Sequence, residues 1–322
     1  MVEQVALPEL YCPFPSAINR GLEVVGQQTV EWARRFKLLE GPAAYERLDA
    51  MRIGLLTARA HPHTPLAELQ LVTDWTTWLF ILDDHCDELG IGKHPKQLQA
   101  LHHRTLTILR GAAVTDQDNP MLHALHDLRE RLLLKASAEW MRRFITNCQE
   151  CLEASIWEAT NRANGIIPDV TTYIKKRAFT GGMYPYVALF EITEDIQLPT
   201  AVTEDALVIH LTRSAINVVC WSNDILSLGK EMKMGDVHNL VLTLQHKYRL
   251  SLKEAIARAA ALHDAEVRSF INMEQRLPSF GSVIDPELQR YLGMLRSWMR
   301  GNLDWSYTSY RYLLTPSIGS DA

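Results

Sequence analysis

Apolar residues recur at three- and four-residue spacing along most of this chain, and strict alternation of apolar with polar residues is almost absent. A period of 3.6 lines one face of a helix, whereas a half-buried strand needs a period of two, so the pattern predicts an all-helical fold. Helices are expected over roughly 20–38, 96–110, 120–161, 170–180, 203–231, 237–247, 252–275 and 287–312. Another carries the stripe Trp75, Trp78, Leu79 and Leu82, with Thr64 placed to cap it and Pro65 to begin it. Breaks fall where Gly, Pro and Asn cluster, as at Asp118-Asn119-Pro120, Gly165 to Pro168 and Gly181-Gly182. Residues 1–19 hold Pro8, Pro13 and Pro15, a spacing that forbids a helix and predicts an arm laid over the body. At 322 residues, length alone would suit two domains. No low-complexity linker, repeat or composition step divides the chain, so one all-helical domain over 1–322 is expected.

The charge balance limits the partners. Thirty-three basic residues are dispersed among 38 acidic ones, for a net charge of −5, which argues against nucleic acid or an anionic membrane surface. Any anionic ligand must be captured locally. The five cysteines, Cys12, Cys86, Cys148, Cys151 and Cys220, are few and odd in number, as suits free thiols in a reducing cytoplasm. The start Met1-Val2-Glu3-Gln4 lacks the basic and apolar regions of a signal peptide, and no apolar run approaches the length of a membrane span.

Near the end of the helix bearing Trp75 comes Asp83-Asp84-His85-Cys86-Asp87-Glu88. Asp83 and Asp87, like Asp84 and Glu88, are four residues apart and share a helix face. Like charges at that spacing repel, so the arrangement favours a neutralising cation. Magnesium suits it, being a hard ion that takes one or two protein carboxylates and leaves its other positions to water and phosphate oxygens. A solvated polar helix end is the plainer explanation of any single acidic run. Thr76, Phe80, Asp83 and Asp87 fall on one stripe, so an aromatic ring is expected one turn below the acids.

A second segment has the same layout. In Trp221 to Glu231, the residues Asn223, Ser227 and Glu231 recur every four positions and line one face above Ile216, Val219 and Cys220. An amide oxygen, a hydroxyl and a carboxylate make a three-oxygen magnesium site with a single negative charge, leaving room for anionic substrate oxygens. Lys230 projects near that face, as a point charge for the same anion.

In this order and about 140 residues apart, the two segments resemble the aspartate-rich motif and the Asn/Ser/Glu triad of bacterial class I terpene cyclases, most nearly the sesquiterpene cyclases. Arg177, Thr180 and Gly181 stand at the spacing of that family's diphosphate-sensor, linker and effector positions, and Arg311-Tyr312 matches a late pair. The resemblance implies a helical bundle of the class I terpenoid synthase type around a closed, central apolar cavity. It implies Asp83, Asp84, Asp87, Asn223, Ser227 and Glu231 as ligands of Mg2+, in a trinuclear cluster assembled with substrate diphosphate. Arg177, Lys230, Arg311 and Tyr312 would grip the diphosphate of a linear isoprenoid, with the Gly181 carbonyl aimed at the developing cation.

The chemistry is consistent with those residue types. Ionising an allylic diphosphate means stabilising a multiply charged leaving group, which metal ions and cationic side chains do well. The carbocation then needs walls that offer aromatic faces and no nucleophile. Phe80, Phe179, Trp305 and Tyr312 are the wall candidates, Trp305 and Tyr312 sharing a stripe on the last expected helix. Closure is assigned to the segment from Met232 to Asn239, where Gly235 and Asp236 would hinge a lid, together with the N-terminal arm and the tail after Arg311.

The expected activity is magnesium-dependent cyclisation of farnesyl diphosphate with release of diphosphate. Geranylgeranyl diphosphate as substrate, and a silent isoprenoid-binding protein, are the alternatives. A chain-elongating prenyltransferase would carry a second Asp-rich motif where Asn223, Ser227 and Glu231 stand. Cys148 and Cys151 form a lone Cys-x-x-Cys inside a helix, and His61, His63, His102 and His103 are read as structural or exposed rather than as ligands. The sequence leaves a homodimer open.

Overall fold

The computed structural model describes residues 7–88, 91–309 and 311, without the side chains of 86–88 and 91. Among them every regular element is helical. In chain order the helices are α1 (Leu22–Arg35), α2 (Pro42–Ala50), α3 (Ile53–Ala60), α4 (Leu66–Glu88), α5 (Pro95–Leu109), α6 (Pro120–Leu133) and α7 (Ala138–Asn164). There follow α8 (Val170–Thr180), α9 (Met183–Thr193), α10 (Thr200–Thr203), α11 (Ala206–Met234), α12 (Leu240–Tyr248), α13 (Leu252–Glu274) and α14 (Ile284–Ser306).

Local chemistry sets many of the boundaries. Asn119 caps α6 through Leu122 N, Ser137 caps α7, Asp169 caps α8 and Asp205 caps α11, each side chain accepting from an otherwise unpaired N–H. Ser251 and Glu254 close a reciprocal capping box at α13. At the other end of α11, Gly235 takes the left-handed conformation, φ +70°, that lets the chain leave the helix without a Cβ clash.

Packing places α11 at the centre, against α13, α14 and α8, while α4 runs against α1, α3 and α6. From Ser214 to Ser222 the residues of α11 are buried without interruption. A helix apolar on every side has no solvent face to show. The same holds for α9, where Pro185 to Phe190 are buried, and for α3, where Gly54 lies so close to Gly26 that a Cβ would stand 2.8 Å from its Cα. One continuous cluster of buried apolar side chains links these helices.

Several expected boundaries change. The helix expected over 120–161 is two, because the chain turns at 134–137 and Ser137 caps a fresh start. Helices α2, α3 and α9 escaped the sequence pattern. The two buried ones, α3 and α9, show why: a segment apolar on nearly every side, with Arg59 or Glu191 as its one charge, has no clear periodic stripe. Thr64 does not serve as the expected cap of α4; its hydroxyl bonds to Glu194 and lies 3.4 Å from His61 Nδ1, and the helix begins at Leu66. The last helix ends at Ser306, short of the expected 312, and the expected pairing of Trp305 with Tyr312 lies outside the described residues.

Residues 7–19 form no helix and cross the face made by α13 and α14. Tyr11 N donates to Asp264, Ser16 to Asp304, and Phe14 packs edge-on against Phe270 at 5.9 Å. No helix among the described residues is long and apolar enough to cross a membrane.

Candidate active site

Helix α4 delivers Phe80, Asp83 and Asp84 at its C-terminal end, and α11 delivers Asn223, Ser227, Lys230 and Glu231 at its own. The two ends meet. Lys230 Nζ lies 3.4 Å from Asp84 Oδ1, across 146 residues of sequence. From beyond α14, Arg311 forks over the same acids, with Nη1 2.9 Å from Asp84 Oδ2 and Nη2 3.0 Å from Asp83 Oδ2. Burial would raise the Asp84 pKa, but Arg311 and Lys230 outweigh it and hold the carboxyl below its ordinary value.

The aromatic ring expected below the acids is there. Phe80 lies between the Arg311 guanidinium, 4.8 Å from its centroid, and the ring of Trp305, which meets it edge-on at 5.7 Å. Trp305 is almost wholly buried, and its Nε1 donates to Met51 O at 2.9 Å, which sets the indole's orientation. Phe179 stacks at a tilt on Tyr184, 4.8 Å away.

Arg177, from α8, reaches α11. Its Nε donates to Asp224 Oδ1 and its Nη2 to Asn223 Oδ1, both at 2.8 Å. Asp224 is fully buried, and its second oxygen accepts from Tyr173 Oη at 2.7 Å and Leu240 N at 3.0 Å. Desolvation pushes the Asp224 carboxyl upward against these partners, while Asp224 in turn holds the half-buried Arg177 charged. The guanidinium is thereby aimed at the Asn223 amide oxygen.

At the end of α8, Thr180 keeps a buried hydroxyl oxygen with no hydrogen-bond partner among the described residues. Gly181 follows with ordinary helical dihedrals, so conformational freedom does not explain it. Space does: a Cβ there would stand 2.4 Å from Cys220 Sγ and 3.2 Å from Arg177 O. The turn itself falls on Gly182, at φ +67°.

Two members of the triad on α11, Ser227 and Glu231, touch through their side chains. Ser227 Oγ lies 2.7 Å from Asn223 O and 2.6 Å from Glu231 Oε1, and Asn239 Nδ2 donates to Glu231 Oε2 at 2.7 Å. Burial and the charge of Asp224 push Glu231 up to about 7, against the bonds from Ser227 and Asn239. A half-buried carboxylate raised in this way, beside a hydroxyl and an amide oxygen four and eight residues earlier, is a donor set that a hard divalent ion fits.

The model of Terpene synthase family 2, C-terminal metal binding, matches residues 74–269, which contain both motifs. The chain is 40% identical to germacrene A synthase of Nostoc punctiforme, over 97% of this chain and 96% of that one. It is 41% identical to (+)-T-muurolol synthase of Roseiflexus castenholzii, over 95% and 94%. The chain belongs to the terpene synthase family. The crystal structure of linalool/nerolidol synthase from Streptomyces clavuligerus superposes on this terpene synthase with a TM-score of 0.84 at 26% identity, covering 92% of this chain and all of that one. The fold is the all-α class I terpenoid synthase fold, and as a member of a metal-binding family the enzyme depends on divalent metal.

Within this terpene synthase, Asp83, Asp84, Lys230 and Arg311 form one group and Arg177, Asn223, Ser227 and Glu231 another, joined through the end of α11. Tyr312 and the side chain of Asp87 lie outside the described residues. Sequence reasoning missed Tyr173, Asp224 and Asn239. Asp224 stands inside the second motif beside Glu231 on the helix surface, but it is wholly buried against Arg177 and Tyr173, partners that only the packing supplies. The segment expected to hinge from Met232 to Asn239 is shorter than expected, because α11 continues to Met234. Its remainder is tied down: Arg162 forks onto Asp236, and His238 and Asn239 are buried. Cys148 is buried without a metal partner among the described residues, and His61 is a core side chain accepting from Trp298 Nε1 at 3.1 Å.

Proposed function

We propose that the chain, acting as a single catalytic domain in the cytoplasm, cyclises farnesyl diphosphate to a sesquiterpene and releases diphosphate. The contact between Lys230 and Asp84 carries the reading, because it brings the two oxygen-donor segments to one mouth above Phe80 and Trp305. Asp83, Asp84, Asp87, Asn223, Ser227 and Glu231 would hold Mg2+, in a trinuclear cluster with the substrate. Bound there, the metal supplies positive charge to the departing diphosphate.

The chain's own residues do the rest. Arg177, Lys230, Arg311 and Tyr312 bind and orient the diphosphate, the two arginines through planar forks. Arg311 and Lys230 rest on Asp83 and Asp84, and Arg177 on Asn223 and Asp224, so the cations are held beside the oxygen donors of both motifs. Loss of diphosphate leaves an allylic cation, which needs stabilisation without a nucleophile. Phe80 and Trp305 offer it aromatic faces, and the Gly181 carbonyl, beyond Thr180, offers a dipole. Support for a fifteen-carbon substrate comes from the T-muurolol synthase relative, which is named for cyclising (2E,6E)-farnesyl diphosphate.

The test is incubation of the purified protein with Mg2+ and geranyl, farnesyl or geranylgeranyl diphosphate, followed by gas chromatography of extracts and a diphosphate assay. Cyclic fifteen-carbon product from farnesyl diphosphate, lost on chelation and restored by Mg2+, is expected. Turnover of geranylgeranyl diphosphate alone would reassign the substrate. Saturable binding without diphosphate release would make the protein a silent binder.

A further inference from the structure

Asn239 is the N-cap of α12, and its Oδ1 accepts from Val241 N at 2.8 Å. With the oxygen so committed, the amide nitrogen must face the opposite way. Its two hydrogens go to Asp224 O at 2.6 Å and Glu231 Oε2 at 2.7 Å. The residue is wholly buried, so the hydrogen bonds determine which end of the amide faces which partner. Glu231 is consequently held at both oxygens, by Ser227 from within α11 and by Asn239 from outside it.

Capping does not require this residue type. An N-cap needs one oxygen acceptor, which Ser, Thr or Asp supplies about as well. Only an amide combines that acceptor with two donors, and here one donor is spent on the carboxylate of the second motif. The loop that carries Asn239 is anchored to match. His238 Nδ1 lies 3.1 Å from Asp236 Oδ1, and Arg162 Nη2 holds Asp236 at 2.7 Å. The segment between α11 and α12 is thus a strut reaching from α7 to Glu231.

We propose that Asn239 is a positioning residue that orients the Glu231 carboxylate for divalent metal. The proposal rests on Glu231 being a metal ligand. Hydrogen-bond partners behind a metal ligand typically contribute about 10- to 100-fold to metal affinity.

The experiment is calorimetric titration of Mg2+ into the full-length protein in the presence of inorganic diphosphate, which requires no turnover. Asn239→Ser keeps a capping oxygen and removes both amide N–H donors. Asn239→Asp keeps shape and cap and turns an acceptor toward Glu231. Both are expected to raise the Mg2+ concentration at half-saturation about 10- to 100-fold, with unchanged helical circular dichroism. Asn119→Ser, the same replacement at the cap of α6, is expected to leave it unmoved. An unchanged Mg2+ requirement in folded Asn239→Ser overturns the proposal, as does loss of the fold in both Asn239 variants, which would assign the residue to capping alone. Glu231→Gln separates the two levels. If it too leaves binding intact, the metal site has been misplaced and the proposal goes with it; if it weakens binding while Asn239→Ser does not, only the positioning role fails.

Discussion

Lys230 Nζ, on α11, stands 3.4 Å from Asp84 Oδ1, on α4, while the other oxygen of that carboxylate takes Arg311 Nη1 at 2.9 Å. One carboxylate is thus shared by cations from two distant parts of the chain. They offset the repulsion that neighbouring acids create at the end of α4.

Asp84→Asn is expected to cut turnover at least about 100-fold, since it removes a charge that both metal and the two cations use. Arg311 keeps Asp83, so the unfolding free energy measured in urea should fall by no more than about 1–3 kcal/mol. Wild-type turnover in a folded Asp84→Asn protein would remove Asp84 from the site.

Gly181→Ala places a methyl 2.4 Å from Cys220 Sγ. Overpacking of this kind costs about 1–3 kcal/mol, read from denaturant unfolding. Shrinking the neighbour with Cys220→Ala should recover part of it, giving a coupling of at least about 0.5 kcal/mol in the double-mutant cycle. Strict additivity would show that the close approach is not what requires glycine.

Asp224→Asn leaves the half-buried Arg177 without its charged partner and is expected to cost at most about 3–5 kcal/mol. Tyr173→Phe removes a single hydrogen bond to the same carboxylate and should cost about 1–2 kcal/mol. Equal effects of the two changes would mean that the ion pair contributes nothing beyond a hydrogen bond.

His61 governs part of the acid limb. Complete burial lowers its pKa from 6.5 to about 3, and Trp298 donates to its Nε2, so the folded state keeps the ring neutral. Below pH 6.5 the unfolded chain takes up a proton that the folded chain refuses, so stability falls with falling pH down to about 3. The slope from this group approaches about 1.4 kcal/mol per pH unit within that window. Urea midpoints between pH 7 and pH 4 should fall less steeply in His61→Gln, whose amide oxygen still accepts from Trp298. Parallel curves would reject the assignment.

Periodicity and punctuation are local properties, and they settled most of this architecture in advance. The spans 96–110, 170–180 and 252–275 are matched within one residue because Pro95, Asp169 and Ser251 mark their starts in the sequence itself. The site candidates were legible for the same reason: Asp83 and Asp87, or Asn223, Ser227 and Glu231, share a face through helix geometry alone. Where the signal is not local, the sequence was silent. Helices α3 and α9 are largely apolar, each with a single charged residue, Arg59 and Glu191, so almost nothing in their composition distinguished a buried helix from another buried segment.

The amino-acid order by itself determined that the chain is helical, where its oxygen donors cluster and which family it resembles, since each follows from neighbours a few residues apart. Only the tertiary structure decided that Lys230 faces Asp84, that Arg177 is steadied by Asp224 and Tyr173, and that Asn239 holds Glu231. A buried polar group is stable only beside a partner of opposite character, and that partner is supplied by packing between elements far apart in the chain.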